Sequence, residues 1–99
     1  MATETAQASN PSGVASSGVA VKVFTTTFCA YCVRAKMLLK SRDIPYEEVN
    51  VSGDDEAREW LVAATGGRKT VPQIFIHGQP IGGFDELAAL DRAGKLPAR

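Results

Sequence analysis

Apolar positions along the chain fall into two rhythms, and the switches between them outline the fold. Val19-Ala20-Val21-Lys22-Val23-Phe24 is rich in β-branched and aromatic residues. That is the composition of a buried strand, and Thr25-Thr26-Thr27-Phe28 carries the chain out of it. From Tyr31 to about Ser41 the rhythm becomes helical. Ala35, Leu38 and Leu39 share one face, and Arg34, Lys36, Lys40 and Arg42 occupy the others. Asp43-Ile44-Pro45 breaks this helix. Tyr46 to Val51 then alternates, with Val49 and Val51 on one side, as a second strand does. A strand-helix-strand crossover is normally right-handed with parallel strands. The helix therefore starts at the carboxyl edge of the first strand.

Asp54 to Thr65 predicts a second helix. Ala57, Trp60, Leu61 and Ala64 form its stripe, acidic residues fill its first turn, and Gly66-Gly67 follow it. Gln73-Ile74-Phe75-Ile76 and Pro80-Ile81 flank His77-Gly78-Gln79, a composition that suits a short antiparallel hairpin ended by Gly82-Gly83. A last helix runs through Leu87 and Leu90, with Asp85 as its expected cap, Gly94 as its stop and Pro97 beyond. The order is β-α-β-α-β-β-α, an α/β class, with no internal repeat. Trp60 belongs to the core and His77 to a solvated turn.

Residues 1–18 keep neither rhythm. Twelve of them are Ala, Ser, Thr or Gly, too little apolar surface to offset the entropy of ordering, so a disordered N-terminal tail is expected. It lacks the basic start and apolar middle of a secretory signal, and it contains no Arg or Lys. The domain is expected over 19–99, close to the size at which one core suffices without staples. Eleven basic and eleven acidic residues cancel. With no basic cluster, neither nucleic acid nor an acidic membrane surface is an expected partner. No apolar run approaches the roughly 20 residues that cross a bilayer. A cytoplasmic protein is expected.

The chemistry sits in Cys29-Ala30-Tyr31-Cys32. Two cysteines are too few for a disulfide-stapled secreted fold, and with His77 as the lone histidine they leave a zinc set incomplete. No metal site is expected from them, and no base accompanies them for hydrolase chemistry. Two small buried apolar residues would be the inert alternative. At a strand-to-helix junction the pair instead reads as a redox motif. Cys29 meets the unpaired N–H groups and positive end of the helix, which favour thiolate over thiol. Cys32, one turn further in, is placed to resolve a mixed disulfide formed at Cys29.

Cys29-Ala30-Tyr31-Cys32, Thr70-Val71-Pro72 and Gly82-Gly83-Phe84-Asp85, in that order and spacing, resemble the glutaredoxin family, most of all its small bacterial dithiol members. The resemblance spans about Val21 to Leu96 and implies a thioredoxin-like fold, a four-stranded mixed sheet flanked by helices. It also implies a glutathione-dependent thiol-disulfide oxidoreductase that reduces protein–glutathione mixed disulfides and protein disulfides. Cys29 would be the nucleophile and Cys32 the resolving thiol. Glutathione, the co-substrate, would lie across three segments. By likeness Pro72 is cis and Val71, in the Thr70-Val71-Pro72 run, offers its backbone to the cysteinyl part. Gly83, Phe84 and Asp85 match the turn that takes the γ-glutamyl end. That match suits the chemistry of a helix start, although Asp85 could also be only a cap. Tyr31 would line the groove. Arg68 is the choice for the glycyl carboxylate, with Lys69 the other candidate and solvated loop charges the alternative.

The chain departs from the family pattern at two places. Thr26 stands where a Lys is frequent, removing part of the positive field over Cys29, and Ala30 stands for the usual Pro, restoring an N–H. A small residue there is associated in the family with a two-iron two-sulfur cluster held between two monomers by the nucleophilic cysteines and two glutathiones. The alternatives are therefore a cluster carrier using Cys29, or a redoxin reduced by thioredoxin reductase. Expected partners are glutathione and glutathionylated or disulfide-bonded proteins. The chain is expected to be a monomer, and a dimer only with a cluster bound.

Overall fold

The computed structural model describes residues 19–97; the expected tail at 1–18 lies outside them. The elements are β1 (Val21–Thr25), α1 (Ala30–Ser41), β2 (Tyr46–Asn50), α2 (Asp55–Ala64), β3 (Gln73–Ile76), β4 (Gln79–Gly82) and α3 (Phe84–Arg92). Their order is the one the two rhythms predict. The strands form one sheet in the order β2-β1-β3-β4. β2 is parallel to β1, while β3 is antiparallel to both β1 and β4.

Helices cover both faces, and strand alternation divides the core between them. Val21, Val23 and Ile74 point to one side, where they pack with Ala35 and Leu39 of α1 and Leu87 of α3. Phe24, Val49 and Phe75 point to the other, against Ala57 and Leu61 of α2. Trp60 joins this second cluster, its ring 5.5 Å from Phe24 and 5.9 Å from Phe75. At the far end of α1, Arg42 ties to Asp91 near the end of α3 through Nε at 2.8 Å and Nη2 at 3.0 Å.

Local chemistry sets the boundaries. Asp54 caps α2 by accepting the Ala57 N–H at 3.0 Å, and Asp55 and Glu56 complement the helix dipole. The β3–β4 turn places both His77 and Gly78 at positive φ, 52° and 80°, as the two-residue turn that matches strand twist requires. His77 is exposed there. One expectation is corrected: Asp85 does not cap α3. The cap is Gly83, and Asp85 is the second residue of the helix. The turn out of β4 places Gly83 at the corner, and Glu86 reaches back to accept its N–H at 2.7 Å.

Candidate functional site: a dithiol at the head of a cleft

The register of the sheet gathers three segments at one edge. In the antiparallel pairing Gln73 faces Phe24, so the residues before β3 lie beside those after β1. Gly82 faces Ile74, which brings the corner into α3 to the same edge. The packing there is tight: a Cβ at Gly83 would stand 3.2 Å from the Pro72 carbonyl oxygen. The Val71–Pro72 bond is cis.

Cys29 is the N-cap of α1, in extended conformation. Its Sγ takes the place of a capping oxygen and accepts the Cys32 N–H at 3.1 Å. Cys29 and Cys32 are joined in a disulfide, with their Cα atoms 5.2 Å apart. The pair is asymmetric: Cys29 is partly exposed, whereas Cys32 is 2% exposed. A thiol arriving from solution therefore meets Cys29. Its Sγ lies 3.7 Å from the Val71 carbonyl oxygen, at the head of a cleft.

The cleft has a volume of about 250 Å³ and is lined by Tyr31, Arg68, Thr70, Val71, Pro72, Gly83, Phe84, Asp85 and Glu86. The eight non-cysteine residues chosen from sequence for glutathione, Lys69 being the candidate passed over, stand around this one space. Tyr31 and Phe84 hold their rings 6.1 Å apart, and the Arg34 guanidinium lies 5.3 Å from the centre of the Tyr31 ring. Arg68 lines the cleft and Lys69 does not; the Lys69 backbone carbonyl instead accepts from Arg58 at 3.4 Å. A larger, shallow hollow of about 690 Å³ beside Lys40, Ile44 and Tyr46 holds no thiol.

Two residues of this region were not singled out from sequence. Glu86 lines the cleft, with Oε1 on the Gly83 N–H and Oε2 3.9 Å from Arg68 Nη1. The Gly83 N–H, its own N–H and the Arg68 charge hold its carboxyl below the usual range. The signal was present as a Gly83-x-x-Glu86 capping spacing. Gln73 is fully buried and donates its amide N–H groups to the Thr70 carbonyl at 2.9 Å and hydroxyl at 3.3 Å. A polar residue opening a strand gave no warning of that.

The family model described as glutaredoxin matches residues 21–81, more than half of the chain. This chain belongs to the glutaredoxin family. Glutaredoxin 3 of Escherichia coli is 46% identical over 76 residues, covering 77% of this chain and 90% of its own length. A probable glutaredoxin of Synechocystis is 45% identical over 76 residues, 77% of this chain and 86% of that one. Among solved structures, wheat glutaredoxin superposes with a TM-score of 0.76 at 34% identity, over 92% of this chain and 84% of that one. A buckwheat glutaredoxin–glutathione complex does so with a TM-score of 0.73 at 34% identity, over 79% and 73%. The fold of this glutaredoxin is thus thioredoxin-like, and Cys29–Cys32 is its redox-active pair. No helix among the described residues is long and apolar enough to cross a membrane.

Proposed function

We propose that this glutaredoxin reduces protein–glutathione mixed disulfides and protein disulfides with electrons from glutathione. The observation that carries the reading is the placement of a partly exposed, N-capping Cys29 Sγ beside Val71, at the head of a cleft with a cation, a helix start and two facing aromatic rings. Glutathione carries two carboxylates and an ammonium. Arg68 suits one carboxylate, the N–H groups at Phe84 and Asp85 suit the other, and the Asp85 carboxylate suits the ammonium. The buckwheat glutaredoxin that was solved with glutathione supports the same choice of ligand.

In the reduced protein the Cys32 N–H and the α1 terminus favour the Cys29 thiolate. That thiolate attacks the glutathione sulfur of a protein mixed disulfide; the S–S bond breaks and the protein thiolate leaves and takes up a proton. Cys29 is then joined to glutathione. A second glutathione thiolate attacks the bound glutathione sulfur, forming glutathione disulfide and releasing the Cys29 thiolate. With a protein disulfide, Cys29 instead forms a mixed disulfide with the substrate protein. The Cys32 thiolate then attacks Cys29 Sγ, closing Cys29–Cys32 and expelling the second substrate thiol. Two glutathiones reopen that bond. Burial of Cys32 confines it to the second step.

The test is steady-state reduction of a small glutathione mixed disulfide, with glutathione reductase and NADPH recycling the glutathione. Turnover far above uncatalysed exchange is expected. Cys29→Ser abolishes it, while Cys32→Ser spares deglutathionylation and removes protein-disulfide reduction. Equal loss in both variants would defeat the assignment of roles. Absence of turnover by folded, reduced protein would shift the reading to the thioredoxin-reductase-dependent or cluster-carrying alternatives. A cluster could use only one accessible thiolate per chain, Cys29, and so would require two chains.

A further inference from the structure

Gln73 is buried in a way that its own packing does not explain. Its side chain is fully enclosed, its amide N–H groups are both spent on Thr70, and its Oε1 is buried with no hydrogen-bond partner. Burying an amide with an orphaned acceptor disfavours folding relative to an apolar side chain of the same shape. Turning the amide over brings no relief, because Oε1 would then face the Thr70 carbonyl oxygen, acceptor against acceptor. What the arrangement does secure is the loop. Gln73 lies opposite Phe24 in the sheet, so it is as fixed as the sheet itself. Thr70, by contrast, is exposed and begins the three residues that form one wall of the cleft.

We infer that Gln73 is a positioning residue: it tethers the Thr70 carbonyl to the rigid sheet and so fixes the Val71 backbone for the glutathionyl group of the substrate. The inference rests on the glutathione reading above and adds the residue that pre-organises that wall. An untethered loop must be ordered at the moment of binding, which weakens binding without touching the sulfur chemistry. Gln73 acts through Thr70 and Val71; its own side chain is not part of the cleft lining.

Two substitutions separate this role from packing. Gln73→Met keeps the volume and removes both the tether and the orphaned oxygen. Its thermal midpoint should equal or exceed that of the wild type, while KM for a small glutathione mixed disulfide rises about five- to tenfold, with the loss in KM rather than kcat. Gln73→Glu keeps the shape and makes the tether depend on a proton. The ionised carboxylate repels the Thr70 carbonyl, and the protonated form donates an O–H to it. The ratio of variant to wild-type KM should therefore fall as pH is lowered, read only at pH values where thermal denaturation shows both proteins fully folded, so that relief of a buried charge on the fold itself is kept apart. A Gln73→Met KM within twofold of the wild type would overturn the inference, as would a Gln73→Glu ratio that stays raised in folded protein at acid pH, where the carboxyl is protonated. Wild-type turnover in the same assay is the control. Its absence would sink the glutathione reading and this inference with it, whereas wild-type turnover with an unaltered Gln73→Met KM removes the role of Gln73 alone.

Discussion

Glu86 does two things at once, and replacing it should move stability and substrate binding in opposite directions. Its Oε1 caps α3 through the Gly83 N–H at 2.7 Å, and its Oε2 stands 3.9 Å from the Arg68 guanidinium. In Glu86→Gln the amide oxygen can still accept from Gly83, so only the charge-assisted part of the cap is lost, about 0.5 kcal/mol. Arg68 is meanwhile released for a substrate carboxylate. At this separation two charges attract by about 1 kcal/mol in water. The side chains are 43% and 48% exposed, which places the pair in the range of about 0.2–1 kcal/mol found for screened surface pairs. KM for a glutathione mixed disulfide should therefore fall about two- to fivefold, and high salt should erase the difference as the Debye length shrinks from about 10 Å to about 3 Å. Glu86→Ala removes the acceptor and strands the N–H of a buried glycine. That costs about 1–2 kcal/mol, or a fall in thermal midpoint of about 4–8 °C per kcal/mol. The assays are thermal denaturation and steady-state kinetics at low and high salt. A Glu86→Gln KM that is unchanged or raised at low salt, with the fold intact, would refute the competition between Glu86 and substrate for Arg68.

Gly82→Ala should destabilise the protein by about 1–3 kcal/mol in urea denaturation, because Gly82 has φ of +117° and a Cβ there would stand 2.7 Å from the folded-back Glu86 side chain; a neutral substitution would refute the strain at this backbone position, since moving Glu86 aside relieves only the contact. Acid should also weaken the fold. The Gly83 N–H holds the Glu86 carboxyl below its ordinary value near 4.5. Burial pushes Glu48 up, but the Thr25 hydroxyl and the Lys36 ammonium outweigh it and leave that carboxyl lowered too. A depressed carboxyl contributes stability that is complete above its unfolded value and disappears as pH falls through its folded one. The urea midpoint should thus hold from neutral pH down to the ordinary carboxylate range and decline below it, less steeply in Glu86→Gln; equal slopes in the two proteins would contradict this.

The order and kind of every element were legible in the chain because their signals are local. Helical spacing of Ala35 and Leu39, alternation at Val49 and Val51, and proline or glycine stops act within a few residues of where they stand. Cys29 at the start of a helix was legible for the same reason. The strand order β2-β1-β3-β4 was not, since pairing joins residues such as Val21 and Ile76 that are far apart in sequence. The edge that gathers Cys29, Val71 and Gly83 exists only through that register. Likeness to a family singled out the residues around the cleft; the register is the physical reason they share one space.

Where local rules misled, a tertiary constraint had overruled them. Asp85 has a good capping side chain, but the turn out of β4 puts Gly83 at the corner, where a Cβ would stand 3.2 Å from the Pro72 carbonyl oxygen, and Glu86 supplies the acceptor instead. Gln73 opens β3 as a polar residue, and its burial and the turn of its amide onto Thr70 have no local signal. The sequence alone determined the order of helices and strands and the place of the cysteine pair at the start of α1, because propensity and periodicity are properties of neighbours. The tertiary structure alone decided which polar groups are enclosed and whom they bond, because enclosure depends on what the rest of the chain lays over them.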